Sequence, residues 1–258
     1  MKAGALGKAD LHIHTSASDG MAGAEELLDY VEGTSDLDVI AVTDHDNIKG
    51  AHAAREAWAK KRYRFDFIAG IEVTALEGHL LALFVEEPIR PFRRIEETLE
   101  EVHRQDGLCI VPHPMSWLTR SLGQKTIERI TFKALDGAYF DGIETANQTL
   151  AARITIEKAK KLNELRYHLA PVGCSDAHFL QAVGSAYTVF AGKTAAELRQ
   201  GILAAETAGR NARRPSLREI GAGQIIRQTW RGLTVTPRTL GLGATAWSFT
   251  KRIFPFLP

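Results

Sequence analysis

Apolar segments that end in charged or imidazole side chains recur along this chain and alternate with amphipathic stretches. The run at 38–43, Asp-Val-Ile-Ala-Val-Thr, is apolar at all four central positions rather than at every second one. Such a run is typical of a strand in a parallel sheet, which helices cover on both faces. The alternation therefore predicts an α/β protein whose parallel strands form either a barrel or an open doubly wound sheet.

The predicted elements follow from this alternation and from signals at their ends. Thr194 and Glu197 form a capping box at the start of a helix that runs to about residue 208. Strands are predicted at 9–14, 38–43, 65–73, 80–84, 108–111, 138–144, 169–174 and 186–190, and the other helices at 24–32, at 93–104, near 126–130, at 150–165 and from about 47 to 61.

Length and composition fit one domain of the size of a single barrel, or two small domains. The chain has 258 residues, of which 45% are hydrophobic, enough to bury a large core. Cys109 and Cys174 lie in apolar runs, which favours buried thiols in a reducing compartment over a disulfide framework. There is no signal-peptide pattern and no run near the ~20 apolar residues that span a bilayer, so we expect a cytoplasmic protein.

Side chains that bind divalent metals follow one predicted strand after another. Residues i and i+2 of a strand point to the same side, so His12 and His14 would aim at one point. The carboxyl ends of parallel strands meet at one edge, where we expect the whole set to converge. Imidazoles and carboxylates suit zinc, manganese or iron, and nine are too many for one ion. They are His12, His14, Asp19, His45, Glu72, His79, His113, Asp176 and His178.

These motifs, in this order over about residues 8–208, resemble the polymerase and histidinol phosphatase (PHP) superfamily of metal-dependent phosphoesterases. The resemblance rests on DLHIHTSASDG, AVTDHD, GIE, His79 in EGHLLAL, VPHP and CSDAH. It implies a distorted (β/α)7 TIM-like barrel that binds two or three divalent ions (zinc, manganese or iron). The implied ligands are His12, His14, Glu72 and Asp176 for the first ion, Glu72, His79 and His113 for the second, and Asp19, His45 and His178 for the third.

The resemblance also implies hydrolysis of a phosphomonoester by a metal-bridging hydroxide, with no protein nucleophile. The substrate would be a small phosphometabolite, a nucleotide or an oligonucleotide end. Only about 28 residues separate His113 from Asp141, too few for the extra domain of some nucleotide phosphatases, so we expect an open site. The alternatives are a phosphodiesterase or exonuclease, an amidohydrolase-like enzyme, and a non-catalytic metal-binding module docked to a membrane by its tail.

Six further side chains near these strand ends have predicted roles, each against the alternative of an ordinary structural residue. A guanidinium suits phosphate oxygens, and an indole offers a face on which a ring can stack. The predicted substrate contacts are Arg120, Trp117, Asn147 and Lys49. Two carboxylates, Asp44 and Glu144, are predicted to hold ligand imidazoles or to shape the loops.

The chain changes character after residue 209, where we predict a boundary between a barrel at 1–209 and a basic, aromatic-containing extension at 210–258. The extension has nine Lys or Arg and one acid, while the remainder carries a net charge of −7. It would pack on the barrel, dock on an anionic membrane, or steer a nucleic acid to the acidic cleft. Its large apolar residues include Ile225, Ile226, Trp230, Trp247, Phe249, Phe254 and Phe256. The sequence predicts no oligomeric state.

Overall fold

A computed structural model of the protein describes residues 5–133 and 137–239, with side chains up to residue 234 in the last helix. Nine strands lie within these residues and join in one sheet. The strands are β1 (Leu6–Asp10), β2 (Val39–Val42), β3 (Asp66–Thr74), β4 (His79–Leu83), β5 (Leu108–Val111), β6 (Gly142–Ala146), β7 (Ala170–Gly173), β8 (Ala186–Ala191) and β9 (Ala208–Asn211).

Most but not all neighbouring strands are parallel, in the order β7-β6-β5-β4-β3-β2-β1-β8-β9. The groups β1–β2–β3 and β5–β6–β7 are parallel, as predicted. The expectation of parallel strands is wrong for β4 and β8, which pair antiparallel with their neighbours, as does β9, a strand that was not predicted. The reason for β4 is its connection, since residues 75–78 are too short for the crossover that a parallel neighbour requires.

The sheet curls until β7 lies against β8 and β9, which confirms the predicted TIM-like barrel. Gly173 donates its backbone N–H to Thr188 Oγ1 at 3.0 Å, and Thr207 Oγ1 donates to the oxygen of Pro171 at 3.0 Å. Gly209 of β9 lies so close that an added Cβ would be 2.7 Å from the backbone oxygen of Val172. The barrel is therefore nearly closed by side-chain contacts and close backbone packing.

Most helices cover the outside of the barrel, and two of the predicted helices differ in extent from the prediction. The capping box of Thr194 is present, but its helix ends at Leu203 rather than near 208, because Ala205 adopts a left-handed φ of 55°. The helix predicted at 150–165 is interrupted at Thr155. The helices are α1 (Ala24–Thr34), α2 (Lys49–Lys60), α3 (Ile95–Arg104), α4 (Gln124–Phe132), α5 (Leu150–Arg153), α6 (Ile156–Leu162) with a π-helical end at Asn163–Tyr167, α7 (Ala195–Leu203), α8 (Leu217–Ile220) and α9 (Ala222–Thr239).

Strand β2 shows how the core divides into two layers. Val39 and Ala41 pack into an apolar cluster with Leu11, Leu81 and Phe190. Ile40 and Val42 point the other way, into the larger cluster that includes the inward face of α1. Burial on both faces explains why the sequence of this strand does not alternate.

The predicted extension begins inside the sheet, because β9 continues to Asn211. The division at residue 209 stays a proposal. Trp247, Phe249, Phe254 and Phe256 lie outside the described residues. None of the helices among residues 5–133 and 137–239 combines the length and the hydropathy that crossing a lipid bilayer requires.

Candidate metal centre

The nine side chains predicted as ligands lie together at one end of the barrel. His12 and His14 follow β1, His45 follows β2 and His113 follows β5, so all reach the edge where parallel strands end. His79 reaches the same edge because antiparallel β4 begins where β3 ends. We call this set the His/carboxylate cluster: His12, His14, Asp19, His45, Glu72, His79, His113, Asp176 and His178. Each of these side chains is at most 17% exposed.

Glu72 occupies the centre of the cluster. Its Oε2 lies 3.2 Å from His12 Nε2, 3.3 Å from His14 Nε2 and 3.1 Å from His45 Nδ1. Backbone pairing fixes this position, since Glu72 N lies 3.2 Å from the backbone oxygens of both Thr43 and Asp44. One carboxylate oxygen therefore faces three imidazoles.

The other oxygen of Glu72 faces a second pair of imidazoles. Oε1 lies 2.8 Å from His79 Nδ1 and 2.9 Å from His113 Nε2. The opposite nitrogen of His113, Nδ1, lies 2.7 Å from Ser121 Oγ, a residue that the sequence reasoning missed. Glu72 thus lies between two groups of imidazoles, as a carboxylate shared by two ions would.

Asp176 contributes a second carboxylate to the first group. Its Oδ1 lies 3.5 Å from His12 Nε2 and 3.4 Å from His14 Nε2. The loops that carry these residues are tied together, because Ala177 N donates to the oxygen of His12 and His14 N donates to the oxygen of Ala177. Asp176 has a left-handed φ of 52°, an unusual backbone conformation for a residue other than glycine.

Asp19 is the centre of a third group. Its Oδ2 lies 3.3 Å from His178 Nε2, and its Oδ1 lies 3.8 Å from His45 Nε2 and 3.9 Å from His14 Nδ1. His14 therefore faces the first group with one nitrogen and the third group with the other. The sequence reasoning assigned His14 to the first group alone.

Buried nitrogen atoms without partners show that these residues fit divalent cations. His12 Nε2, both nitrogens of His14 and His45 Nδ1 have no hydrogen bond of acceptable geometry, although carboxylate oxygens lie close to them. A buried polar atom without a partner is costly. A divalent ion would satisfy such nitrogens, and a set of imidazoles and carboxylates suits zinc, manganese or iron.

The electrostatics point the same way. Burial by itself favours the neutral form of His14, but Asp176 and Glu72 outweigh burial and raise its pKa to about 10. The pKa of Asp176 is lowered, because His12 and the other neighbouring imidazoles outweigh the burial that would raise it. The cluster therefore has a strong affinity for positive charge, which protons satisfy when no metal ion does.

Glu144 accepts hydrogen bonds from two of the predicted ligand residues, and its role as their support stays a prediction. Its side chain is completely buried, and its Oε1 accepts from His12 Nδ1 at 3.0 Å. Its Oε2 accepts from His113 N at 2.6 Å and from Asn147 Nδ2 at 2.8 Å. Because a carboxylate only accepts, His12 must carry a proton on Nδ1, and its Nε2 faces the other residues of the cluster.

Asp44 and Asp10 hold the loops of the cluster rather than its imidazoles. Asp44 accepts from Thr15 N at 2.8 Å and from the hydroxyls of Thr15 and Ser18, which shapes the loop that carries Asp19. Asp10, which the sequence reasoning missed, accepts from Ser175 N at 3.0 Å and from the amide of residue 184 at 2.8 Å. Burial raises the pKa of Asp10 to about 6. Its place two residues before His12, on the same side of the chain, was the available signal.

The four predicted substrate contacts have different surroundings. Asn147 is buried, and its amide groups bond to Glu144 and Thr149. Arg120 Nη2 donates to the backbone oxygens of Ala75 and Leu76, at 3.1 and 3.3 Å. Trp117 is 72% exposed and Lys49 is exposed. Contact of any of the four with substrate stays a prediction.

A separate group of metal-binding residue types lies at the other end of the strands. His103, Cys109 and Asp141 approach one another there. Both ring nitrogens of His103 are already engaged, Nδ1 with the oxygen of residue 137 at 2.9 Å and Nε2 with Asp141 Oδ2 at 3.0 Å. This group is a hydrogen-bonded support for the loop, since the imidazole has no free ligand atom.

Comparison with known proteins relates the chain to proteins of the same fold. A family model described as PHP-associated matches residues 157–207. An uncharacterized protein of Methanocaldococcus jannaschii is 32% identical over 151 residues, which are 54% of this chain and 81% of that protein. The 5′-3′ exoribonuclease Rnm of Salmonella typhimurium is 37% identical over 71 residues, which are 27% of this chain and 24% of that enzyme.

A solved structure extends the relationship to nearly the whole chain. It is a two-domain Bacteroides vulgatus protein that contains a predicted PHP-like metal-dependent phosphoesterase. It superimposes with a TM-score of 0.66 at 19% identity, covering 90% of this chain and 71% of that one. The motifs, the barrel and these matches agree, and the chain belongs to the PHP superfamily.

Proposed function

We propose that this protein is a phosphoesterase that depends on two or three divalent ions and hydrolyses phosphomonoesters. The observation that carries the proposal is the set of buried, unpartnered imidazole nitrogens that converge on Glu72 and Asp176. Ions bound there would lower the pKa of a water molecule and neutralise charge on phosphoryl oxygens. The proposed ligands are the nine residues of the His/carboxylate cluster, grouped as in the sequence-based assignment, with His14 facing two groups.

The residues of this chain supply orientation. Glu144 and the backbone oxygen of Asp176 accept from the Nδ1 atoms of His12 and His178, at 3.0 Å in each case, which leaves both Nε2 atoms to face the cluster. Glu72 is held by the sheet between its two groups of imidazoles. Preorganised ligands of this kind need no rearrangement when charge develops on the substrate, and this favours catalysis.

A phosphodiesterase or exonuclease is the second candidate. The observation that favours it is the segment of 71 residues that is 37% identical to an exoribonuclease. The basic residues after position 209 would suit a polyanionic substrate. A non-catalytic module is less favoured, because all nine proposed ligands are present and lie close together.

The test is hydrolysis of 4-nitrophenyl phosphate, bis(4-nitrophenyl) phosphate and a 5′-phosphorylated oligoribonucleotide by protein loaded with manganese or zinc. We expect turnover of the monoester that falls at least about a hundredfold in His12→Ala and Asp176→Ala. His52→Ala is the matched control, because His52 lies on α2 and its Nε2 contacts the backbone oxygen of Glu86.

The relative rates on the three substrates distinguish the two candidate functions. Faster cleavage of the diester or of the oligonucleotide would favour the second candidate. If the wild type has no more activity than the two cluster variants on all three substrates, the proposed enzyme function is wrong.

A further inference from the structure

The segment after β9 returns to the His/carboxylate cluster. Gln228 of α9 places its amide Nε2 3.3 Å from Asp19 Oδ2. One turn further along, Arg231 Nη2 donates to the backbone oxygens of Ser16 and Ser18, at 2.7 and 2.8 Å. Three hydrogen bonds thereby connect the helix to the loop that carries Asp19, and they fix its position relative to the cluster.

A cavity of about 330 Å³ lies between this segment and the barrel, next to the cluster. Asp176 and His178 form part of its wall, so the cavity and the cluster share two residues. Its size is at the lower end of the range of about 300–1,000 Å³ that is typical of small-molecule sites. The segment supplies the opposite wall through residues on α8 and α9 and the loop before them.

Most of the surface of this cavity is apolar, although polar side chains such as Gln148 and Gln228 also line it. Phe179 contributes from the barrel, and Ile220 and Ile225 contribute from the segment. Two leucines at its border, Leu150 and Leu217, remain 64% and 67% exposed. Large apolar side chains gain free energy when a ligand covers them, so this lining favours a ligand with an apolar surface.

The position of the cavity beside the cluster indicates which part of a substrate it would bind. A phosphoester whose phosphoryl oxygens lie at the cluster would direct its organic part into the adjacent space. Arg214, also in the wall, offers a guanidinium that stacks on aromatic faces. We propose that this cavity binds the organic part of the substrate and selects phosphomonoesters with an aromatic ring over small polyol phosphates. This inference rests on the proposed function and names its substrate class.

Two neighbouring isoleucines of α9 give a matched test. Ile225 lines the cavity, whereas Ile226 is 71% exposed and is not among the residues that line it. Ile225→Trp should fill the cavity, and Ile226→Trp makes the same chemical change outside it. KM and kcat are measured with 1-naphthyl phosphate and glycerol 2-phosphate, and the affinity of manganese-loaded protein for the uncleavable 1-naphthylmethylphosphonate is measured by calorimetry.

We expect Ile225→Trp to raise KM for the naphthyl ester and weaken binding of the phosphonate at least about tenfold, through loss of apolar burial. Values for glycerol 2-phosphate should stay within about twofold, and Ile226→Trp should match the wild type throughout. If Ile225→Trp fails to fold, Leu217→Ser provides a second variant, because Leu217 is 67% exposed, and it should also weaken phosphonate binding.

Equal binding of the phosphonate by the wild type, Ile225→Trp and Leu217→Ser would overturn the inference. A wild type that prefers glycerol 2-phosphate would also overturn it. Failure of the proposed function looks different, because neither ester would then be hydrolysed. If the phosphonate still bound and Ile225→Trp weakened that binding, the cavity would be a ligand site in a protein that is not a phosphomonoesterase.

Discussion

The replacement of Glu144 by Gln tests whether the cluster is oriented from behind. The carboxylate is completely buried and accepts from three donors, His12 Nδ1, His113 N and Asn147 Nδ2. Glutamine has nearly the same shape but only one acceptor oxygen. If that oxygen keeps His113 N and Asn147, both of which use Oε2, the amide NH2 faces His12 Nδ1.

The size of the effect follows from this geometry. The N–H on His12 Nδ1 would then face another donor instead of a carboxylate. Binding of an ion through Nε2 would therefore be weaker by the energy of one hydrogen bond to a charged group, about 1.5–3 kcal/mol. That energy corresponds to a decrease in metal affinity of about 10- to 150-fold.

The assay is calorimetric titration of metal-free protein with Mn²⁺, together with a thermal melt of the same sample. Glu56→Gln, an exposed position on α2, is the matched control. If Glu144→Gln binds the same number of ions as the wild type with a Kd within about threefold, Glu144 does not orient His12 as proposed.

Three further predictions concern stability. Chelation should lower Tm, and added Mn²⁺ should raise it. At a Mn²⁺ concentration of 100 times Kd, the folded state should gain about 2.7 kcal/mol of stability, which scanning calorimetry measures. An unchanged Tm would contradict the metal centre. Burial opposes charge on His103, but Asp141 and the backbone oxygen of residue 137 raise its pKa. Denaturant titrations of His103→Gln should therefore show the largest loss in free energy of unfolding below the unfolded-state pKa of about 6.5. This loss should disappear as pH rises through the folded-state pKa of His103. A difference in stability between wild type and variant that is the same at every pH would be evidence against the ion pair. Thr194→Ala removes a complete capping box and should cost about 1 kcal/mol in the same assay, whereas no change would mean that the cap contributes nothing.

The barrel was predictable because most of its strands have a recognisable local pattern of apolar residues. An apolar run such as Val39–Val42 can be buried on both faces only in a covered sheet, and the structure places its residues in two separate apolar clusters. The antiparallel strands β4 and β8 were not predictable in this way. Strand direction depends on the connection and on the neighbour, whereas an apolar pattern reads the same in both directions.

Element ends were the least accurate part of the sequence-based description. The helix after Thr194 ends at Leu203 because Ala205 adopts a left-handed conformation, which cannot be predicted from an alanine in the sequence. The prediction extended this helix to about residue 208, where β9 begins instead. The sheet edge beside β8 was open to a further strand, and that tertiary pairing decided the conformation of Ala208–Asn211.

The sequence named nine predicted ligands, and the structure brings them together, but their arrangement could not be predicted. His-x-His spacing and the position of ligands at strand ends follow from the period of the strand and from the shared edge of parallel strands. The use of both nitrogens of His14, and the central place of Glu72 between two groups, depend on distances between loops that are far apart in the chain.

The sequence by itself determined the class of the fold and the residue types of the candidate metal centre, because both follow from local periodicity and from motif order. Only the tertiary structure decided what surrounds that centre. Gln228 comes within 3.3 Å of Asp19 although 209 residues separate them, and the apolar wall at Ile225 lies near Asp176 for the same reason. Such contacts arise from the way in which the last segment packs across the end of the barrel, and no spacing in the sequence specifies that packing.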